Sequence, residues 1–347
     1  MSGLRVLDVG PGVTVQDRGR PGWLAEGLSR GGAADGLALD EGAALLGQGR
    51  MLAALEMAGL GGRFEAEGDL RIALTGAPMR AAIEGSPVAW NACHALARGQ
   101  ELTIGAAEAG VYGYLHLGGG IAREPLLGSR SAHLTAGLFG PVAAGDRLPA
   151  GADPGGPVGL GLEPRPRFSG GRIRIVPSAQ TGLFTAAERT RFAATDFVRD
   201  ARGNRQGVRL AHEGAPFSAE GGLSILSEVV VPGDIQMTGD GIPYVLLPEC
   251  QTMGGYPRIG TVVPDDLAQV AQAPAGARLR FDFVDPAEAL AELRRTAAGR
   301  AADLRRRIRP LVRDPATIPD LLSYQLVSGV TAGHDAAEQE ISGGTAK

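Results

Sequence analysis

Lysine is all but absent. Of 34 basic residues among 347, 33 are arginine, and Lys347 is the only lysine. This excludes a Schiff-base enzyme, a Walker-type phosphate loop with its lysine, and self-biotinylation on an internal lysine. Cysteine is equally scarce: Cys93 and Cys250 lie far apart in no CxxC or zinc pattern. A disulfide scaffold is therefore excluded, and both read as buried reduced thiols. Excess positive charge is missing too, since 38 acidic residues leave a net charge of −4. A general nucleic-acid binder would need a dense basic face. No apolar run approaches the ~20 residues that span a bilayer. The opening segment passes straight into an apolar-alternating stretch rather than a signal peptide. The expectation is a soluble, cytoplasmic protein with no nucleic-acid or membrane partner. There is also no serine nucleophile elbow, no histidine pair at metal spacing and no nucleotide-binding glycine fingerprint, so no metal site is expected.

Glycine is abundant, at 54 residues, about twice the usual ~7% share. Between the glycines lie apolar segments of strand length: 4–9, 70–75, 102–104, 112–117, 173–176, 225–231, 244–247 and 279–284. Short strands separated by Gly, Pro and Asp describe a mainly β barrel or sandwich. Helices are expected at 35–46 and 264–272. The stretch 149–169 is dominated by Gly and Pro and reads as a linker unable to hold a central strand. The expected organisation is residues 1–150, a linker 151–169, residues 170–285, and a helical extension with a flexible tail over 286–347. In that extension, Leu290, Leu293, Ala297, Ala301, Leu304 and Ile308 fall on one helical face. Arg294, Arg295, Arg300, Arg305, Arg306 and Arg307 occupy the others, and Pro310 stops the helix. This helix packs on its own domain or docks a partner.

Four polar clusters are candidates for chemistry. In Thr14–Gly22, Arg18 and Arg20 can clamp a carboxylate bidentately and Gln16 can orient an amide, or Asp17 can lock the loop. In Ser29–Asp35, Asp35 reads first as a helix N-cap. Leu127–Ser131 follows the glycine run 118–120. In Gln251–Pro257, paired glycines allow close backbone approach while Gln251, Thr252 and Tyr256 offer hydrogen bonds. His116, on an apparent strand before three glycines, is the histidine most worth following.

The ordered series TVQDRGRPG (14–22), GLSRGGAAD (27–35), ALE (54–56), LTGA (74–77), LGGGI with LGSRS (117–131), SEVVVPGDIQ (227–236) and QTMGGYPRIGTVVPDDL (251–267) resembles the family of 5-oxoprolinase C-type subunits. That family is also called PxpC, KipA-like or allophanate hydrolase subunit 2-like. It is similar to part of the carboxyltransferase domain of urea carboxylase, and the resemblance covers about residues 4–284. It implies two tandem cyclophilin-like β-barrel domains with a few short helices and a C-terminal amphipathic helix. Where many relatives carry Ser-Asp-Arg-Met-Gly, this chain has Gly203-Asn-Arg-Gln-Gly207. A usual Ala-Asp segment is replaced by Pro248-Glu-Cys250, and Gly-Ala-Met-Asp by Gly32-Ala-Ala-Asp35.

The resemblance further implies a C-type subunit acting with B-type (KipI-like) and A-type (LamB/YcsF-like) subunits. Together they would open 5-oxo-L-proline to L-glutamate with ATP and magnesium, the nucleotide being held elsewhere in the complex and no biotin being attached to this chain. Asp17, Asp35 and Glu56 are then the candidate bases. Arg20, Arg30, Arg130 and Arg205 are candidates for a carboxylate or phosphoryl group. Gln16, Gln236, Gln251 and Tyr256 would bond the lactam, with Ser129, Thr252, Gly254 and Gly255 beside them. Two other readings stay open: a biotin-dependent carboxyltransferase component acting on urea or a related amide, and a non-enzymatic KipA-like partner of a KipI-like kinase inhibitor.

Overall fold

The computed structural model describes residues 2–312, and the expected flexible tail beyond them lies outside the described residues. The residues as far as Leu311 cluster as one compact unit.

The first half is built from two sheets. One orders its strands Arg147–Pro149, Gly3–Val9, Leu60–Ala66, Glu101–Ala107, Met79–Ile83 and Ser86–Val88. The other orders them Thr14–Gln16, Ala54–Ala58, Tyr112–Leu117, Leu70–Gly76, Ala92–Leu96, Leu160–Leu162 and Ile308–Pro310. Alternation decides which faces meet: Leu102 and Ile104 turn inward while Thr103 stays in water. They join Leu4, Val6 and Phe64 against Val15, Leu55, Ile72 and Leu115 of the other sheet. Tyr112–Leu117 is buried on both faces, because helix α1 (Gly36–Leu46) covers its outer side. Asp35 caps α1 by accepting from Leu37 N–H at 3.0 Å and Ala38 N–H at 3.1 Å, and Gly47 ends it at φ +62°.

The second half is a closed seven-stranded barrel. Around the ring run Gly171–Val176, Arg258–Val262, Asp234–Met237, Pro243–Leu246, Gly207–Ala211, Phe197–Gly203 and Arg278–Phe283. The closing pair, 171–175 with 279–283, is parallel and the other pairs are antiparallel. Its core is aromatic: Phe192, Phe197, Phe217 and Phe281 pack with ring centroids 4.9–5.9 Å apart. That core is continuous with Ala34, Leu39, Tyr112 and Tyr114 of the first half. The mainly β, tandem barrel-like architecture expected from the sequence is present, with helices α2 (Ala186–Ala194), α3 (Pro264–Gln272) and α4 (Pro286–Arg307) added.

Three local expectations change. The apolar run 225–231 is not a core strand: only Glu228–Val229 pairs, with Met253–Gly254, and Leu226 is 89% exposed. The run lies along the 252–255 segment, through Ile225 N–H to Gly255 O and Val230 N–H to Thr252 O, and only Val230 is buried, against Leu246 and Cys250. The stretch 149–169 is tied down rather than loose. Leu160–Leu162 pairs with Ile308–Pro310 and bridges to Ala92. Arg167 is buried, with Nη1 and Nη2 on Glu41 at 2.9 and 2.7 Å and Nε on Asp35 at 2.7 Å. Helix α4 is rolled relative to the expected stripe. Ala289 and Leu304 are buried, whereas Leu290, Ala297 and Ala301 face solvent. Charge outweighs the apolar stripe here, because Arg300 turns inward to Asp40 and Asp265.

Candidate functional site

The loop after strand Thr14–Gln16 runs along the seam between the halves, where Asp17 organises it. Asp17 accepts from Gly19 N–H at 2.8 Å, Ser129 Oγ–H at 2.5 Å, Ser131 Oγ–H and Arg130 N–H at 2.6 Å. The 14–22 and 127–131 clusters therefore meet through one buried carboxylate. Gln16 is also buried, and its Nε2 donates to Thr14 Oγ1 and Ala132 O. Gly19 sits at φ +75°, and a Cβ there would lie 2.5 Å from Arg30 O. Only glycine lets the two strands of this loop approach so closely.

The two arginines of the loop divide. Arg18 bonds to Asp40 on α1 and to Gly36 O at 2.9 Å. Arg20 has no carboxylate partner among the described residues. It is 1% exposed, its Nη2 donates to Ser131 O at 2.5 Å, and its Nη1 is buried with no partner. Burial accordingly lowers the Arg20 pKa from the usual guanidinium value. A side chain at Gly31 would come within 3.4 Å of that Nη1, so glycine leaves the approach open. Arg30, Arg123 and Arg130 likewise form no ion pair among the described residues: their guanidinium Nε atoms donate to Arg18 O, Arg130 O and Arg123 O. Burial brings Arg123, stacked 3.7 Å over Phe139, down to about 10. Arg123 was missed from sequence, although it closely follows the glycine run.

Asp17, Arg20, Ser29, Arg30 and Gly31 form one wall of a cavity of about 620 Å³. The opposite wall comes from the second half, at Val230–Pro232, Pro248 and the start of α3. His133 lies behind it: Ala136 N–H donates to its Nδ1 and its Nε2–H donates to Ser29 Oγ at 2.9 Å. Burial pushes this imidazole below its ordinary pKa, favouring the neutral form that those contacts require.

The other expected bases and one expected clamp are occupied by partners within the chain. Glu56 accepts from Ala34 N–H at 2.8 Å, Tyr114 Oη–H at 2.6 Å and Arg205 Nη1. Arg205 also donates to Glu249 at 2.5 Å and to Gly32 O, so its guanidinium joins the halves rather than facing the cavity. Its two carboxylate neighbours raise its pKa against the opposing effect of burial. Asp35 combines its capping role with the Arg167 pair and a bond from Gln272 Nε2 at 2.9 Å. Glu249, Tyr114, Arg167 and Gln272 were not marked by any local pattern, since their partners are distant in sequence. His116 is structural: Thr75 Oγ–H goes to Ala38 O, leaving the hydroxyl to accept from His116 Nε2–H at 2.8 Å.

The remaining candidates lie elsewhere. Gln236, Gln251 and Tyr256 line a separate groove of about 340 Å³ on the second barrel. Gly254 and Gly255 flank it in the chain. Thr252 O accepts from Val230 N–H, holding the short pair of strands 228–229 and 253–254 together. The structure thus sorts the expected residues into an arginine-bearing cavity, an amide-lined groove and a set of buried ties.

No described helix is long and apolar enough to cross a membrane. The carboxyltransferase domain, subdomain A and B, family model matches residues 26–283. The 5-oxoprolinase C-type subunit of Haemophilus influenzae is 32% identical over 84% of this chain and 94% of its own length. Its Escherichia coli counterpart, also a 5-oxoprolinase C-type subunit, is 33% identical over 83% and 93%. Among solved structures, TTHA0988 superposes with a TM-score of 0.75 at 31% identity, over 81% of this chain. The match spans a little over half of that protein, 56%. The urea amidolyase of Kluyveromyces lactis shares the fold, with a TM-score of 0.76 at 22% identity over 90% of this chain and 21% of that one.

Proposed function

The chain belongs to the carboxyltransferase-domain family, subdomains A and B, together with the 5-oxoprolinase C-type subunits, and from that premise we propose that it is the C-type component of an ATP-dependent 5-oxoprolinase. In this reading it works with A- and B-type subunits to hydrolyse 5-oxo-L-proline to L-glutamate. The observation that carries the reading is Arg20, a buried cation with an unpartnered Nη1 beside an accessible cavity. A buried charge is costly unless paired, so the site favours a small anion such as the carboxylate of 5-oxoproline. Arg30, Arg123 and Arg130 reinforce the positive field. Asp17 holds the loop that presents them and is a positioning residue, because its oxygens are already taken by the serines and backbone.

Among the described residues no group of His, Cys, Asp or Glu is arranged to hold a metal ion. In this proposal the nucleotide and its magnesium are held by a partner subunit, and this chain supplies substrate binding and orientation. Opening an unactivated lactam is uphill, and the ATP held by that partner supplies the driving force.

The test is to coexpress the chain with its A- and B-type partners and measure glutamate formed from 5-oxoproline with and without ATP. ATP-dependent glutamate that vanishes when this chain is omitted is the expected result. Arg20→Gln in the assembled complex should raise KM for 5-oxoproline at least tenfold without lowering the melting temperature. A stable complex that forms no glutamate would overturn the reading. It would then favour carboxyl transfer to another amide, the alternative supported by the family match.

A further inference from the structure

The wall of the inter-barrel cavity that carries Arg20 also carries a hydroxyl, that of Ser29, which is 4% exposed. Its strand is pinned from both sides. Arg20 N–H donates to Arg30 O at 2.8 Å, and Gly31 N–H donates to Pro248 O at 2.9 Å. The hydroxyl makes one hydrogen bond among the described residues, with His133 Nε2 at 2.9 Å. The direction of that bond decides what the hydroxyl can do.

His133 sets the direction through its other nitrogen. Ala136 N–H donates to Nδ1 at 3.2 Å, so Nδ1 keeps its lone pair and the proton of the neutral ring sits on Nε2. The turn carrying that amide is held by Glu249, which accepts from Thr135 N–H at 3.2 Å. Ser29 Oγ therefore accepts from His133 and keeps its own proton for another acceptor. Ser29, His133 and Glu249 have the composition of a nucleophilic triad but not its protonation pattern. In a triad the imidazole takes the serine proton while its Nδ1–H is bonded to the carboxylate. Here Nε2 is already protonated, and Glu249 Oε2 stands 3.8 Å from Nδ1.

The serine proton has no acceptor among the described residues, and Arg20 Nη1 has none either. The two groups come together around Gly31. The point that a Gly31 Cβ would occupy lies 3.0 Å from His133 Cδ2 and 3.4 Å from Arg20 Nη1. Imidazole edge and guanidinium thus border one space on the cavity wall, and Ser29 is bonded to the ring at the next atom, Nε2. Buried donors in native proteins are almost always satisfied, so two orphans on one wall mark a place for an acceptor with two oxygens. We propose that Ser29 Oγ–H and Arg20 Nη1–H bind the two oxygens of one carboxylate, with His133 as the positioning residue that leaves the serine proton free for it. This deepens the anion-binding reading of the cavity and rests on it. Ser29 thereby acts as a specificity residue, favouring a planar carboxylate over an anion that offers a single atom.

The test is a ligand-observed NMR titration of the full chain with 5-oxoproline and with cyclopentanecarboxylate, a ring carboxylate without the lactam. Saturable binding of both is expected. Ser29→Ala should weaken both about tenfold, as loss of a hydrogen bond to a charged group does. His133→Asn offers an oxygen to Ala136 N–H but is too short to reach Ser29. It should weaken binding about threefold in the parent and add nothing in the Ser29→Ala background. Equal weakening in both backgrounds would reduce His133 to a packing role and overturn its part in the proposal. If His133→Asn does not fold, Ser29→Ala decides the matter alone. Binding within twofold of the parent in Ser29→Ala, or no saturable binding of either carboxylate to the parent, would overturn the paired seat. Cyclopentanecarboxylate binding that depends on Ser29, without any binding of 5-oxoproline, would uphold the seat and overturn the 5-oxoprolinase reading instead.

Discussion

Arg205 and Glu56, 149 residues apart, meet in the seam between the halves, where Arg205 Nη1 donates to Glu56 Oε1. Arg205 Nε donates to Glu249 at the same time, so one guanidinium from the second barrel is held by carboxylates from both halves. Removing it would leave two buried negative charges without their counter-ion.

Arg205→Met should therefore destabilise the protein by about 3–5 kcal/mol, the usual cost of breaking a buried pair from one side. Urea denaturation of the purified chain measures this. Adding Glu56→Gln to Arg205→Met should recover part of the loss, since it removes one of the stranded charges. A loss below about 1 kcal/mol in the single variant would show that the seam does not depend on this tie.

His116 gives a pH dependence with a defined sign. Burial holds its imidazole at about 3, against an ordinary value of 6.5, and the nearby Arg18 charge acts in the same direction. Between those values the unfolded chain binds a proton that the folded chain does not, so stability falls as pH drops through that window. Above 6.5 this contribution is constant. His116→Gln keeps an N–H for Thr75 but cannot titrate, so its urea midpoint should fall less steeply with acid than the parent's. Parallel acid limbs would contradict the assignment.

Gly42 lies beneath that histidine on α1. Helix propensity alone predicts that Gly42→Ala gains about 1 kcal/mol. The new Cβ would stand 2.3–2.4 Å from the His116 ring, and overpacking costs typically 1–3 kcal/mol. The expected result is a net loss in thermal stability. In a His116→Ala background the collision is gone, and the same alanine should become neutral or stabilising. A stabilising Gly42→Ala in the parent would refute this packing.

Much of the fold was legible because it rests on local patterns. The apolar segment 102–104, the Asp35 cap of α1 and the Pro264 start of α3 each stand in the sequence where the structure uses them. The site was legible only as composition. TVQDRGRPG announced crowded arginines, but Arg18 and Arg20 part company according to Asp40, 22 residues beyond Arg18. The amide set of Gln236, Gln251 and Tyr256 was visible, yet its separation from the arginines depends on strand register in the second barrel. Glu249 stood in a departure from the family pattern and gave no local sign that it would meet Arg205. The run 225–231, of which only Val230 is buried, shows the opposite limit, since an apolar segment becomes a core strand only where neighbouring strands provide a sheet for it.

Helix α4 poses the same question in a measurable form, because spacings of three and four fit more than one of its faces. The structure chooses the face that turns Arg300 inward, with Nη1 3.2 Å from Asp40 Oδ2 and Nη2 2.6 Å from Asp265 Oδ1. Asp40 is buried and keeps Arg18 and Arg50 as further partners, so losing Arg300 strands less charge than losing Arg205. Arg300→Met should cost about 1–2 kcal/mol, whereas Arg295→Met, at an exposed position, should change stability by less than about 0.5 kcal/mol. Hydrogen exchange localises the effect: amides of 289–304 should exchange faster in Arg300→Met than in Arg295→Met, while the second barrel's strands remain unchanged. Equal protection in the two variants would mean that Ala289 and Leu304, rather than the ion pairs, seat the helix.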